Sequence, residues 1–242
     1  MGNFQQSRDY FDEALELNPT DLIALNYKGI SLALLGNYYT ALKVFNHILT
    51  IDPKNYYALT NKSWMLYIFI RFDEALKYIV SSISVDNSHY VSWICKGLIL
   101  YRKRQYYEAL DVFDKAIKLN PNDPIPWYNK GLALFHIKNF NYSLECAIKA
   151  TRLAQNYISA WRLQINCYNS LGNEEGAVYA NFRFNQINPR PSFESSARVD
   201  QENKILPLNS TNINQENNIS PLESKYIDNN LLLSNVLFAY ST

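Results

Sequence analysis

Residues 124–136 read PIPWYNKGLALFH, and this stretch decides the fold because its pattern returns along the chain. Trp127, Gly131 and Leu134 lie four and three residues apart, which places them on one face of an α-helix. Equivalent residues recur at an interval of 34 residues on both sides of this stretch. A fixed interval of this length indicates a chain built from stacked repeats.

Columns of similar residues keep the 34-residue interval and define the repeat. The first column holds large apolar residues, which are Leu25, Leu59, Trp93, Trp127 and Trp161. The second column holds small residues on the same helix face, which are Gly29, Ser63, Gly97 and Gly131. The third column holds small residues of a second helix, which are Ala41, Ala75, Ala109, Ser143 and Ala177. Only the last block departs from the small column, with Ile165. Small residues let two helices approach closely, and the large residues fill the space between neighbouring helix pairs.

The interval divides the chain into five blocks, each of which reads as two antiparallel helices. The blocks are 22–55, 56–89, 90–123, 124–157 and 158–191. Because each hairpin buries its apolar columns against the next hairpin, the sequence predicts an all-α solenoid. Residues 1–21 match only the second helix of a block. They form an N-terminal capping helix or follow further repeats outside this sequence, and both alternatives remain open.

The 34-residue interval, together with its Trp, Gly, Leu, Ala, Phe and Pro columns, resembles the tetratricopeptide repeat (TPR) family over residues 1 to 189. The resemblance implies a right-handed superhelical solenoid of antiparallel helix hairpins. It also implies a non-catalytic scaffold for protein–protein interaction. In this family the first helix of every hairpin lines a concave groove, in which a segment of a partner protein binds.

The residues that line this groove follow from the repeat frame of the family. They are mostly aromatic or apolar, so we expect the partner to be a mostly uncharged peptide segment. Aromatic side chains supply a large contact area, and an asparagine can both donate to and accept from a peptide backbone. The expected groove residues are Tyr27, Tyr57, Asn61, Trp64, Tyr67, Ile94, Leu98, Tyr101, Tyr128, Asn129, Leu132, Phe135 and Arg162. For Tyr67, Tyr101 and Phe135 the alternative is packing between adjacent hairpins.

Two other functions remain as alternatives, namely a solenoid that binds nucleic acid and the targeting module of an enzyme whose catalytic part is absent. The net charge of +1 gives no electrostatic reason to expect nucleic acid. A column of lysines could form an anion-binding row, but we favour lysine stems that cover apolar surface while their ammonium groups reach water. The lysines are Lys28, Lys62, Lys96 and Lys130.

Catalytic and metal-binding patterns are missing from the sequence, so we expect neither an enzyme nor a cofactor. The chain has no glycine-rich phosphate loop, and His47, His89 and His136 fall in different blocks and at different places in the repeat. The odd number of three cysteines argues for a reducing compartment, and we expect a cytoplasmic protein. No apolar run reaches the roughly 20 residues that span a bilayer, so no membrane role is expected.

Residues 190–242 differ in composition from the repeats. They are rich in Asn, Ser, Gln and Glu, and we expect them to be mostly disordered. The apolar stretch LLLSNVLFAY at residues 231–240 interrupts this polar character. We expect it to dock within the same molecule, either over the last hairpin or in the aromatic groove.

Overall fold

The computed structural model describes residues 2–188, and the side chains of residues 9–188. This part of the chain folds into helices joined by short turns. The tail at 190–242, with its expected disorder and its apolar end at 231–240, lies outside the described residues. The helices are α1 (Gly2–Leu17), α2 (Leu22–Leu34), α3 (Tyr38–Ile51), α4 (Tyr56–Ile68), α5 (Phe72–Val85), α6 (Tyr90–Arg102), α7 (Tyr106–Leu119), α8 (Pro124–His136), α9 (Phe140–Leu153), α10 (Ile158–Ser170) and α11 (Glu174–Ile187).

The even-numbered helices from α2 to α10 are the first helices of five hairpins, and each has 13 residues. The odd-numbered helices from α3 to α11 are the second helices, and each has 14 residues. Every second helix packs against its own first helix, and α3, α5, α7 and α9 also pack against the first helix of the next hairpin. Helix α1 packs on α2 in the same way. The all-α solenoid predicted from the sequence is therefore confirmed.

Helix starts are capped by the short polar residues that precede them. Asp21, Asn55 and Asp123 each accept a backbone N–H of the first helical turn, as N-cap residues do. Pro124 then occupies the first position of α8, where its missing N–H would have had no partner within the helix. The sequence between blocks thus specifies where these first helices begin.

Close packing inside a hairpin depends on the small column. A Cβ atom added to Gly29 would lie 2.6 Å from Cε1 of Phe45, so the phenylalanine ring occupies the space that glycine leaves. In the next hairpin the hydroxyl of Ser63 donates to the carbonyl of Ala75 over 2.8 Å. The small residues thus bring the two helices together, as the sequence predicted.

The tryptophan column also fixes the turns between hairpins. Each indole N–H donates to the backbone carbonyl six residues earlier, in the turn before its own helix. These bonds join Trp93 to Asn87 at 2.8 Å, Trp127 to Pro121 at 3.1 Å and Trp161 to Gln155 at 2.8 Å. The column therefore contributes directional bonds as well as apolar area.

The three cysteines, Cys95, Cys146 and Cys167, are buried free thiols. Burial raises the pKa of Cys95 to about 12 and that of Cys146 to about 11, so both stay protonated near neutral pH. Between residues 2 and 188, no helix combines the length and apolar character needed to cross a membrane.

Candidate partner-binding surface

The first helices form one side of the solenoid. They pack next to one another along the stack, α2 with α4, α4 with α6, α6 with α8 and α8 with α10. We call the surface that these helices form the inner side of the stack. All of the expected groove residues lie on them.

More than half of the expected groove residues are buried, which corrects the expectation that they are open to a partner. Trp64 is 1% exposed, and its ring stacks on Tyr67 with the centres 4.7 Å apart. The physical reason is that successive first helices approach closely enough for large side chains to fill the inner side. The buried members are Asn61, Trp64, Tyr67, Ile94, Leu98, Tyr128 and Asn129.

The two asparagines are used inside the protein. The side-chain amide of Asn61 donates to Oδ1 of Asn26 on the preceding first helix over 3.3 Å. That of Asn129 donates to the carbonyl of Ile125 over 2.9 Å. Since both residues are at most 4% exposed, they position helices and do not face a bound peptide.

The other six expected residues are partly exposed, and several make aromatic contacts. Tyr27 stacks on Phe11 of α1 with ring centres 5.2 Å apart, and the guanidinium of Arg162 lies 5.2 Å from the centre of the Phe184 ring. The partly exposed members are Tyr27, Tyr57, Tyr101, Leu132, Phe135 and Arg162. The accessible part of the inner surface is therefore smaller than the sequence predicted.

A row of aromatic pairs runs along the edge of the solenoid where each first helix turns into its second helix. In each pair, one ring comes from the end of the first helix and the other is the first residue of the second helix. We call these pairs the aromatic ladder: Tyr67–Phe72, Tyr101–Tyr106 and Phe135–Phe140, with ring centres 5.8, 5.6 and 5.2 Å apart. The sequence signal for the ladder is a second aromatic column at the same 34-residue interval, formed by Phe72, Tyr106 and Phe140.

The first two pairs of the ladder are covered by the last residue of the next first helix. The guanidinium of Arg102 lies 5.6 Å from the ring centre of Tyr67 and 5.7 Å from that of Phe72. His136 stacks on Tyr106 with ring centres 5.1 Å apart, and its Nε2 hydrogen-bonds the Tyr101 hydroxyl over 2.8 Å. The third and fourth hairpins thus each supply the cover for the aromatic pair before them.

The lysine column packs against neighbouring side chains. Burial and the nearby Lys115 lower the pKa of Lys96, as expected for an ammonium group that is partly withdrawn from water. These contacts favour packed stems over a row that is open to phosphate groups. The contacts are Lys28 Nζ to Asp12 at 2.5 Å, Lys130 Nζ to Asp114 at 2.5 Å, Lys62 Nζ to the Tyr78 ring centre at 3.9 Å, and Lys96 Nζ to the Trp93 ring at 5.7 Å.

A buried network of hydroxyl groups joins α4, α5 and α6. Thr60 Oγ1 lies 2.8 Å from both Ser82 Oγ and Ser92 Oγ, and Ser92 Oγ lies 2.8 Å from Nδ1 of His89. Burial lowers the pKa of His89 to about 4, against a weaker opposing effect of Asp86. His89 is therefore neutral near neutral pH. Across residues 2–188, the structure contains no cluster of His, Cys, Asp and Glu suited to a metal ion.

Family models for tetratricopeptide repeats match residues 1–56 and residues 97–137 of this chain. The chain therefore contains tetratricopeptide repeats. The first match covers α1, α2 and α3, and the second covers the end of α6 together with all of α7 and α8. No curated protein matches the sequence significantly.

Solved structures of other TPR proteins share the fold of this repeat protein. A PilF structure from Pseudomonas aeruginosa is 17% identical, with a TM-score of 0.67 over 78% of this chain and 86% of that chain. MamA from Desulfovibrio magneticus is 16% identical, with a TM-score of 0.61 over 69% and 94%. YrrB, described as a TPR protein with an unusual peptide-binding site, is 20% identical, with a TM-score of 0.56 over 74% and 92%. At these identities the similarity establishes the fold alone.

Proposed function

We propose that this repeat protein is a non-catalytic scaffold that binds a mostly uncharged peptide segment along the inner side of its first helices. The observation that carries the proposal is the set of partly exposed aromatic residues there, above all Tyr101 and Phe135, on a TPR solenoid. The peptide-binding site of the similar protein YrrB supports this proposal.

The chemistry of the accessible surface suits a peptide. Rings that are already held by neighbouring aromatic residues lose little side-chain entropy when a partner covers them, so more of the contact energy remains as affinity. Tyr101 is held by Tyr106 and His136, and Phe135 by Phe140. We propose that these two rings are the anchors.

The proposal predicts that selection from a random peptide display library on the full chain yields mostly uncharged peptides that bind the inner surface. Replacing Tyr101 and Phe135 by alanine removes two anchor rings, and should weaken the binding of a selected peptide by about tenfold or more. Fluorescence anisotropy with a labelled selected peptide measures the dissociation constant.

The matched control replaces Tyr39 and Tyr107, which are 67% and 72% exposed on second helices, by alanine. These changes also remove two aromatic rings, but they do so outside the first helices, so affinity should stay within twofold of the original. The proposal fails if both double variants lose affinity equally, or if the selected peptides bind equally well to the original chain and to both double variants.

We also propose that the apolar segment 231–240 docks on the exposed face of α11 within the same molecule. Val178, Tyr179 and Phe182 on this helix are 70%, 57% and 59% exposed, and Leu171 just before it is 38% exposed. At the position of Val178, earlier hairpins have Leu76 and Leu144, which pack against the core. A flexible chain of 42 residues, the number from 189 to 230, has an r.m.s. span of roughly 35 Å, which would allow the segment to return to α11.

Finally, we propose a cytoplasmic location. The support is chemical: Cys95, Cys146 and Cys167 are free thiols, and free thiols persist in a reducing compartment. A secreted form of the protein with the same fold, in which these thiols stayed reduced, would argue against the proposal.

A further inference from the structure

The third pair of the aromatic ladder, Phe135–Phe140, differs from the first two in the residue available to cover it. Arg102 and His136, which cover the earlier pairs, are the last residues of α6 and α8. The last residue of α10 is Ser170, at the same repeat position. A serine side chain has one heavy atom beyond Cβ and cannot reach across two rings. Phe135 and Phe140 are both partly exposed.

The next hairpin also carries negative charge at the following position of the ladder. Glu174 begins α11 and thus has the repeat position of Phe72, Tyr106 and Phe140 in the ladder. Glu175 follows it, and both carboxylates are exposed. The ladder therefore ends in two aromatic rings followed by acidic groups, which is complementary to a cation.

We propose that Phe135 and Phe140 bind the guanidinium group of an arginine in a partner peptide, with Glu174 as its counter-ion. This inference rests on the proposed peptide-binding function and adds a specific anchor to it. The protein itself shows that a guanidinium fits such a pair, because Arg102 lies over Tyr67 and Phe72 two hairpins earlier. The bound arginine takes the place that Ser170 leaves open.

Arginine fits this site better than lysine. A guanidinium is planar, stacks on aromatic faces and is less strongly hydrated than an ammonium group, so less solvation is lost on binding. It also binds a carboxylate through two parallel hydrogen bonds. A single arginine in an otherwise uncharged segment agrees with the character of the remaining accessible surface.

The first test uses peptides selected on the full chain. We expect arginine to be enriched at one position, and expect its replacement by citrulline, which keeps the shape without the charge, to weaken binding by about fivefold to tenfold. In the Phe140→Leu and Glu174→Gln variants, the arginine and citrulline peptides should bind with nearly equal affinity. Selected peptides that show no preference for arginine, or a preference that both variants retain, overturn the inference but leave the proposed function intact.

A second test fills the site from the chain. In the Ser170→Arg variant the new guanidinium repeats the position of Arg102, and should raise the melting temperature by about 2 °C. It should also weaken the binding of arginine-containing peptides without affecting the binding of their citrulline versions. The Ser170→Gln variant, which lacks the charge, should change neither property. Equal behaviour of the two variants overturns the inference.

A third test is independent of peptide binding. N-acetylargininamide, used as the probe, should shift the NMR ring resonances of Phe135 and Phe140, whereas N-acetylglutaminamide should not. If N-acetylargininamide shifts these resonances but the library yields no peptide that binds the inner surface, the cation site is supported and the proposed function is contradicted. If the shifts appear only after Arg190 and Arg198 are replaced by glutamine, the chain's own tail is the occupant and the partner-peptide inference is overturned.

Discussion

At the turn inside each hairpin, one residue adopts a left-handed backbone conformation, whether or not it is glycine. Gly36 and Gly172 do so with φ of 82° and 70°, whereas Ile70, Arg104 and Lys138 do so with φ of 61°, 61° and 62°. The following backbone N–H closes the helix by bonding a carbonyl five residues earlier, for example Arg71 to Leu66 over 2.9 Å. The packing of the two helices thus imposes a conformation that a β-branched residue such as Ile70 adopts only under strain.

Replacing Ile70 by glycine should therefore stabilise the protein. The Ile70 side chain is 67% exposed, so its removal costs little packing, while relief of the left-handed strain should raise the unfolding free energy by about 1 kcal/mol. Urea denaturation followed by circular dichroism measures this change.

The matched control is Gly36→Ala at the same turn position of the first hairpin. A Cβ atom there would meet no other atom within 4 Å, so only the backbone conformation opposes the substitution. It should lower the unfolding free energy by about 1 kcal/mol. If the two substitutions changed stability in the same direction, backbone strain would not be the cause.

At the scale of the helix, α4, α5 and α6 are held by a polar network as well as by apolar contacts. Ser82 Oγ donates to the carbonyl of Tyr56 over 3.0 Å, and through Thr60 and Ser92 the network reaches His89, the residue that precedes α6. Tyr56 and Tyr57 lie at the edges of the imidazole, with ring centres 5.2 and 5.4 Å away. Protonation of His89 would place a positive charge in this enclosed position.

Stability should consequently depend on pH through His89. Its pKa falls from 6.5 to about 4 on folding, because the folded protein disfavours the protonated imidazole. The stability of the fold is therefore not reduced by this residue above pH 6.5, and it decreases as the pH falls from 6.5 toward 4. The expected loss over this range is about 2 to 3 kcal/mol of unfolding free energy. Urea denaturation at several pH values between 4 and 7 measures it.

The His89→Gln variant should lose most of this slope, because glutamine has no proton to gain. His47 is exposed on α3, and His47→Gln should keep the slope of the original chain. Carboxylates that do not contact His89 contribute equally to both variants. Equal slopes for the two variants would show that the buried imidazole is not responsible.

At the scale of the whole molecule, a helix at the end of an open stack of hairpins has a neighbouring hairpin on one side only. Each second helix from α3 to α9 is covered by the next first helix, whereas α11 is the last helix among residues 2–188. Its Val178 and Phe182, one helical turn apart, are at least 59% exposed. Leu144, at the position of Val178 one repeat earlier, packs against the core. The same kind of residue is therefore buried or exposed according to its place in the stack.

Docking of residues 231–240 on α11 predicts a coupling between the tail and Phe182. In the full chain, Phe182→Ser should lower the unfolding free energy by about 1 to 2 kcal/mol, because it removes apolar area covered by the tail. In a chain that ends at Asn188, the same substitution should change stability by less than about 0.5 kcal/mol. Equal effects in the two chains would refute the docking, and stability that depends on protein concentration would indicate a second copy on this face instead.

The fold could be predicted from the sequence because a 34-residue interval of large and small residues has one packing solution, in which each large side chain fills the space beside a small one. The surface could be predicted only in part. Periodicity correctly assigned Tyr101 and Phe135 to the first helices. It also predicted which side of its helix Trp64 occupies, but it could not predict how closely the next helix approaches that side. It treated Tyr67, Tyr101 and Phe135 alike, although the first is 4% exposed and the others are partly exposed.

The helix pairs, their order and the small–large packing within them follow from the sequence alone, because these depend on contacts between residues that are close along the chain or one repeat apart. The tertiary structure was needed to show which aromatic residues remain accessible, that Asn61 and Asn129 bond inside the protein, and that Arg102 and His136 cover the first two pairs of the aromatic ladder. These outcomes depend on how closely successive hairpins approach. That distance is set by the combined size of all the side chains between them, and no single column of the repeat encodes it.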